Sequence, residues 1–164
     1  MATLLIENAA QLLTLNGPSR ARVGAEMADL GIVENGAVLA CDGVIEAVGT
    51  TRDVARRADP DTVRIDAAGC AVAPGFVDAH THPVFAGTRA AEYEMRIAGA
   101  TYEEIAASGG GIRQTVRLTR AASEDELVAI ARRHAATFLA HGTTTIEAKS
   151  GYGLTVDDEL KQLR

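Results

Sequence analysis

Residues 74–83, Pro-Gly-Phe-Val-Asp-Ala-His-Thr-His-Pro, constrain the fold most, because they have the pattern of one short β-strand that ends in two histidines. Side chains along a strand alternate between its two faces, so His80 and His82 are predicted to lie on the same face, together with Asp78. Pro83 removes the next backbone donor, which places the histidines at the C-terminal end of the strand. In α/β folds the catalytic groups gather at that end.

Two neighbouring imidazoles make half of a metal site. A His-x-His pair that closes an apolar strand favours metal binding over two packed or surface histidines. We therefore predict that His80 and His82 bind a metal ion. A catalytic zinc ion takes about three protein ligands and leaves one position for water. The chain contains two further histidines, His134 and His141, and both are explained below by their positions in a helix.

Composition narrows the class of partner. The chain has 164 residues, enough for a core of its own, and a net charge of −6 at pH 7 without any cluster of Lys and Arg. We therefore expect a small-molecule partner, with no nucleic acid and no membrane.

The thiols Cys41 and Cys70 are too few for a disulfide framework. Residues 1–8 lack the basic start of a secretion signal, and no apolar stretch approaches the roughly 20 residues of a bilayer span, so a cytoplasmic protein is expected.

The N-terminal part of the chain predicts a small β-domain over residues 1–72. A hairpin is expected within 29–49, because Asp42-Gly43 suits the positive φ angles of a tight turn and lies between two apolar runs. Further strands are predicted at 3–7 and 62–66, and a polar loop or short helix at 50–61.

After the histidine pair the pattern changes to alternating helix and strand, which is typical of βαβ units. Thr101 with Glu104, and Ser123 with Glu126, have the spacing of capping boxes, so each pair predicts the start of a helix. The second of these helices carries an apolar stripe that is expected to face a core. His134 lies on that stripe, so we interpret it as a packed helix residue rather than a metal ligand.

Residues 143–149 predict a second strand, parallel to the first by the right-handed crossover rule. His141 and Gly142 suit the end of the preceding helix, where a cation and then a glycine are favoured. Glu147 and Lys149 share one face of the predicted strand. If that face is buried, the two charges must pair with each other or with a ligand, because an unpaired buried charge is costly. A structural ion pair and a functional role therefore both remain open.

The loop 150–154 follows the second strand at the same edge as the histidines, so Tyr152 is a candidate substrate contact. A last helix, capped by Thr155 or Asp157, stops after barely two turns. Residues 73–164 thus supply about two β/α units, whereas a closed barrel needs eight and roughly 250 residues. We therefore expect the chain to be the N-terminal portion of a longer protein.

These motifs resemble the amidohydrolase superfamily, in which a Pro-Gly-Phe-Val-Asp-x-His-x-His strand opens a metal-dependent TIM (β/α)8 barrel beside a small β-domain. Three segments resemble one family within it, the imidazolonepropionases, which act in histidine degradation. These segments are His-Thr-His-Pro-Val-Phe-Ala-Gly-Thr-Arg at 80–89, Gly-Gly-Gly-Ile at 109–112 and Glu-Ala-Lys-Ser-Gly-Tyr-Gly-Leu at 147–154. The fold class implied is α/β. The domains implied are part of a composite β-sandwich over 1–72 and the first two β/α units of an incomplete barrel over 73–164.

The resemblance also implies roles for single residues. His80 and His82 would be ligands of one Zn²⁺ or Fe ion, Arg89 would hold the propanoate of 4-imidazolone-5-propanoate, and Tyr152 would contact this substrate. The implied reaction is hydrolysis of the cyclic amide to N-formimino-L-glutamate. The remaining ligands and the proton-transferring groups are expected beyond Arg164, so no catalytic residue is assigned within the chain. The chain alone is expected to be inactive, and the full-length enzyme to be a homodimer.

Two other functions remain open. The chain could belong to another cyclic amidase or to a nucleobase or aminohydrolase deaminase of the same superfamily, or it could be a non-catalytic module that binds a metal or a partner. Single residues also have simpler explanations: Arg89 as a solvated surface charge and Tyr152 as a packing residue. Asp78 could orient the histidines or form a pair in the barrel floor, and the glycines at 109–111 could form a flap or simply join two helices.

Overall fold

The structure is a computed structural model that describes residues 3–164, so Met1 and Ala2 lie outside the described residues. The chain divides into two compact units between Pro74 and Gly75. A five-stranded sheet lies in the first unit and a pair of parallel strands in the second. Strands and helices together confirm the predicted mixed α/β class.

The sheet of the first unit is built around its first strand. The strand order is β3-β2-β1-β4, and β5 also pairs with β1. The strands are β1 Thr3–Leu13, β2 Ile32–Cys41, β3 Val44–Thr50, β4 Val63–Asp66 and β5 Ala71–Val72. Strand β1 extends beyond the predicted 3–7, because an irregularity between Ile6 and Ala9 interrupts the alternating pattern and then lets the strand continue. Asn8 takes a φ of 60° at this point.

The predicted hairpin is confirmed. Asp42 and Gly43 have φ angles of 49° and 83°, and Cys41 pairs with Val44 across the turn. Residues 50–61 form a short helix, α1 Thr51–Val54, and a following 3₁₀ turn, in agreement with the expected loop or short helix. One core cluster of this unit is formed by buried side chains from β1, β2, β3 and α1: Leu5, Ala37, Leu39, Ala47 and Val54. A second cluster consists of Ala9, Leu12 and Ala67.

The second unit contains β6 and β7, joined by four helices. Strands β6 Phe76–Thr81 and β7 Thr143–Ala148 pair in parallel, which confirms the predicted parallel arrangement. The four joining helices are α2 Ala90–Ile97, α3 Tyr102–Ala107, α4 Ile112–Ala121 and α5 Glu124–Ala140, and a further helix, α6 Val156–Leu163, follows β7. Helices α2 and α4 were not predicted individually. Each begins after a residue that makes no side-chain capping bond, so the usual start signal is missing from the sequence.

Both predicted capping boxes are present. The Thr101 hydroxyl accepts from the Glu104 N–H at 3.2 Å, and the Glu104 carboxylate accepts from the Thr101 N–H at 2.8 Å. Ser123 and Glu126 repeat this exchange at the start of α5, at 3.3 and 2.8 Å. Of the two candidates for the cap of α6, Thr155 is correct, since its hydroxyl accepts from a helix N–H.

Helix α5 buries the predicted stripe only in part. Leu127 is fully buried, while Ile130, His134 and Phe138 are half-buried. Across the described chain, 3–164, none of the helices combines the length and the apolar character that a bilayer span requires.

Candidate metal and substrate site

The two histidines of the predicted pair lie side by side. His80 belongs to the last residues of β6, and His82 follows directly after the end of that strand. Their ring centroids are 5.2 Å apart, with the ring planes almost perpendicular. His80 is exposed and His82 is half-buried. The predicted adjacency is therefore confirmed, while their role as metal ligands stays a prediction.

The neighbouring strand supplies a partner for one ring of this pair. Oε2 of Glu147, on β7, lies 3.4 Å from Nδ1 of His80. This contact of Glu147 with His80 was not predicted, and a functional role of Glu147 stays a prediction. Asp78 accepts a hydrogen bond from the backbone N–H of His80 at 3.2 Å. Asp78 therefore contacts the backbone that carries His80.

The donor chemistry of the pair fits a borderline metal ion such as zinc or iron. Nδ1 of His82 is buried and finds no hydrogen-bond partner within residues 3–164, so no protein group of the described chain competes for that nitrogen. The described residues contain no group of three or more His, Cys, Asp or Glu side chains that could hold a metal ion. The pair therefore offers two of the about three protein ligands that a catalytic zinc ion takes, and its role as a ligand set stays a prediction.

The loop after β7 packs directly on the histidine pair. The rings of Tyr152 and His82 have centroids 5.4 Å apart. A Cβ atom at Gly151 would lie 2.9 Å from Cε1 of His82, which is closer than carbon atoms pack. Glycine at this position therefore allows the backbone to approach the imidazole and brings Tyr152 next to it.

Tyr152 also lines a cavity of about 400 Å³, and so does Arg89. This size lies within the usual range of small-molecule sites. The cavity wall consists of Phe85, Gly87, Thr88, Arg89, Thr115, His134 and Tyr152. The structure thus brings the two predicted substrate-binding residues together at one cavity, next to the ring of His82.

His134 and His141 behave as helix residues, but only one of them is remote from the cavity. His141 ends α5, and its Nδ1 lies 2.8 Å from the Thr137 carbonyl, in agreement with the predicted helix-terminal role. Nδ1 of His134 lies 2.7 Å from the carbonyl oxygen of Pro83, so this nitrogen must carry the proton. The His134 ring packs on Phe85 and lines the cavity. The sequence indicated its packing and missed its place in the cavity wall.

A buried carboxylate holds Arg89. Oε2 of Glu92 accepts a hydrogen bond from Nε of Arg89 at 2.7 Å and lies 2.7 Å from Nη2 in an ion pair, and Oε1 accepts from the N–H of Gly111 at 2.8 Å. The hydrogen bond from Arg89 is the main cause that holds the pKa of Glu92 below its ordinary value, with the bond from Gly111 in support. The same contact raises the pKa of Arg89. Glu92 was not predicted from the sequence, although the Arg-x-x-Glu spacing at the start of a helix was an available signal.

The loop that carries Tyr152 is fixed by helix α6. Oε1 of Glu159 accepts from the N–H groups of Gly153 and Leu154 at 2.8 and 2.6 Å, and the side-chain oxygen of Gln162 accepts from the N–H of Tyr152 at 3.4 Å. Burial acts most strongly on the pKa of Glu159 and raises it, but the hydrogen bonds from the loop together leave this pKa below its ordinary value. The contacts of Glu159 and Gln162 were not predicted either, because a contact between a loop and a helix leaves no local pattern in the sequence.

A larger groove of about 560 Å³ runs along α4 in the same unit, between Ile112, Arg117 and Leu154. None of the predicted site residues lines this groove. We therefore place the candidate site at the smaller cavity, because that cavity combines a cation, a tyrosine and a contact to the histidine pair.

Comparison with known proteins shows which proteins the chain is similar to in sequence. No protein-family model matches the chain. The chain is 57% identical over 164 residues to the imidazolonepropionase of Solibacter usitatus, covering 100% of this chain and 39% of that protein. It is 53% identical to the imidazolonepropionase of Symbiobacterium thermophilum, with 98% and 38% covered, and 51% identical to that of Brevibacillus brevis, with 96% and 38% covered. The chain is similar over its whole length to the N-terminal part of these imidazolonepropionases. It spans 38–39% of the length of these imidazolonepropionases.

Solved structures give a fold likeness at much lower identity. Guanine deaminase of E. coli superposes with a TM-score of 0.57 at 19% identity, covering 99% of this chain and 32% of that chain. Guanine deaminase of Bradyrhizobium japonicum gives a TM-score of 0.54 at 19% identity, with the same coverage. At this identity the likeness concerns the fold alone. It agrees with the predicted α/β class, and the imidazolonepropionase relatives carry the information on function.

Proposed function

We propose that this chain forms the N-terminal portion of an imidazolonepropionase, an enzyme that hydrolyses the cyclic amide of 4-imidazolone-5-propanoate to N-formimino-L-glutamate. The observation that carries the proposal is that Arg89 and Tyr152 line one cavity, and that Tyr152 contacts His82. Identities of 48–57% to imidazolonepropionases over the whole chain support the same reaction.

The cavity offers complementary groups to the two ends of this substrate. Arg89 provides a planar cation for the propanoate, since a guanidinium binds a carboxylate through two parallel hydrogen bonds. Tyr152 provides an apolar face for the imidazolone ring and a hydroxyl for a polar edge. In this arrangement Arg89 holds the tail while the ring lies towards the histidines.

The residues that would hold the metal ion are His80 and His82, with Zn²⁺ and Fe as the candidates. Such an ion, when bound, supplies Lewis-acid chemistry for hydrolysis of an amide. Oε2 of Glu147 lies 3.4 Å from Nδ1 of His80, a position from which a carboxylate can orient a ligand histidine. The remaining ligands and the groups that transfer protons are proposed to lie beyond Arg164, so we assign no catalytic residue to the chain.

We further propose that residues 73–164 are the first two β/α units of a TIM barrel and that 1–72 contribute to a composite β-sandwich. Parallel pairing of β6 with β7 and the likeness to guanine deaminases support this architecture. Homodimer formation and a cytoplasmic location stay predictions from the sequence.

The proposal is tested with the enzyme that carries this chain as its N-terminal portion, loaded with zinc or iron. We expect ring opening of 4-imidazolone-5-propanoate, without release of ammonia, and no deamination of guanine. Arg89→Met is expected to raise KM strongly for the carboxylate-bearing substrate. Arg96→Met, a change of an arginine within α2 that does not line the 400 Å³ cavity, serves as the matched control.

Release of ammonia from a nucleobase with no ring opening would replace the proposal by the deaminase alternative. Stoichiometric metal without any hydrolysis would favour the non-catalytic module. The 164-residue chain alone is expected to show almost no turnover, because the described residues offer only part of a metal-ligand set.

A further inference from the structure

We propose that Glu92 is a positioning residue for substrate recognition: its carboxylate fixes the guanidinium of Arg89 in one orientation and ties it to the backbone of the Gly109–Gly111 loop. This inference rests on the proposed function of Arg89 as the carboxylate-binding residue. Glu92 itself does not line the 400 Å³ cavity, so it acts through Arg89.

The burial of Glu92 separates this contact from an ordinary surface ion pair. Only 9% of the Glu92 side chain is exposed, whereas half of the Arg89 side chain is accessible. Surface pairs between flexible charged side chains contribute little, because both partners must be ordered and water screens them. Here the carboxylate is held in place by its surroundings, and the arginine is the partner that reaches outward.

The bonding pattern leaves one edge of the guanidinium for a ligand. Glu92 occupies the edge formed by Nε and Nη2, since one carboxylate oxygen accepts a hydrogen bond from Nε and lies 2.7 Å from both nitrogens. A guanidinium has five N–H donors, so the opposite pair on Nη1 and Nη2 keeps donors for a second carboxylate. Glu92 therefore determines which edge of Arg89 is available to a substrate.

The second oxygen of Glu92 connects this cation to the glycine loop. It accepts from the N–H of Gly111, a buried residue with a φ of 76°. A Cβ atom at Gly110 would lie 2.9 Å from the Ile105 carbonyl oxygen and 3.0 Å from Oε1 of Glu92. The loop thus packs on Glu92 through bare backbone, which explains why glycines occupy these positions. Of the two roles open for this segment, a fixed connector that braces Arg89 fits better than a free flap.

The test combines NMR of the protein with binding of two probes. The carboxylate probe is 3-(imidazol-4-yl)propanoate, and 4-propylimidazole is its counterpart without charge on the tail. In the wild type we expect slow solvent exchange for both the Arg89 Nε–H and the Gly111 amide. In Glu92→Gln an NH2 group replaces one carboxylate oxygen, so at most one of the two protons keeps its acceptor. Exchange at one or both is expected to rise about tenfold or more, as for loss of one charge-assisted hydrogen bond.

The same variant should weaken binding of the carboxylate probe about tenfold and leave the uncharged probe within about twofold. In the proposed enzyme this appears as a raised KM with a nearly unchanged kcat. Glu94→Gln, which removes the same charge from an exposed position of α2, is the matched control and should change neither exchange nor binding.

The outcomes separate this inference from the function on which it rests. If Arg89→Lys and Glu92→Gln both leave the carboxylate probe unaffected, the assignment of Arg89 fails. If Arg89→Lys weakens that probe and Glu92→Gln does not, only the positioning role of Glu92 is overturned. An equal loss for both probes in Glu92→Gln would mean a general structural role and would also overturn it. Fast exchange of either proton in the wild type contradicts the inference without any variant.

Discussion

Replacing Thr119 by valine removes a hydroxyl that holds the loop carrying the cavity residues. Thr119 is fully buried in α4, and its Oγ1 accepts a hydrogen bond from the backbone N–H of Ala86 at 3.0 Å. Ala86 lies between Phe85 and Gly87, two residues of the cavity wall. Valine has nearly the same shape as threonine, so the substitution leaves no large cavity and isolates the effect of the lost acceptor.

The magnitude follows from the burial of both partners. Ala86 is only 8% exposed, so water cannot easily replace the missing hydroxyl. Leaving one buried donor unsatisfied costs about 1–3 kcal/mol of unfolding free energy. That range corresponds to a factor of about 5 to 150 in the ratio of folded to unfolded protein.

Urea unfolding of the protein measures this loss, and hydrogen exchange at the Ala86 amide locates it. Thr119→Ser keeps the acceptor and removes one methyl group, so it should cost only about 0.8 kcal/mol and preserve the protection of Ala86. Wild-type stability of Thr119→Val, or equally slow exchange of the Ala86 amide in both variants, would refute a stabilising role of this hydrogen bond.

Three further predictions concern the same unit. Gly151→Ala should displace His82, because the added Cβ would lie 2.9 Å from Cε1 of that ring, and should weaken metal binding measured by calorimetry. Gly49→Ala is the control, since its Cβ would lie 3.6 Å from the nearest atom, and it should leave metal binding unchanged. Ser123→Ala should lower the unfolding free energy by about 1 kcal/mol through loss of the α5 cap, as measured by denaturation; an unchanged midpoint would contradict it. Hydrogen bonds from Ser123 lower the pKa of Glu126 from its ordinary 4.5. Their contribution to stability is therefore present above about pH 4.5 and is lost as the pH falls below it. Glu126→Gln should flatten this part of a plot of unfolding free energy against pH, and an unchanged slope would contradict the prediction.

The sequence was sufficient wherever one short segment determines the geometry. The adjacency of His80 and His82 follows from the period of a strand, and the starts of α3 and α5 follow from capping boxes whose partners are three residues apart. The turn at Asp42-Gly43 is equally local, because its two positive φ angles suit these residue types. In these cases the residues that interact are also close in the sequence.

Contacts between distant segments were not predictable in this way. Thr119 binds Ala86 across 33 residues, and Glu92 binds Gly111 across 19, so no local pattern records either contact. The cavity position of His134 was missed for the same reason, since its partner Pro83 lies 51 residues earlier. Side chains that support a site from another element therefore become visible only once the fold brings them together.

The central claim is that His80 and His82 hold the metal ion of an imidazolonepropionase. Metal content of the purified enzyme, measured by mass spectrometry after dialysis against metal-free buffer, tests it most directly. We expect about one zinc or iron ion per chain in the wild type and in His141→Ala, the control for an exposed histidine at a helix end. His80→Ala and His82→Ala should each lose most of this metal. Full metal occupancy in both of these variants would contradict the claim.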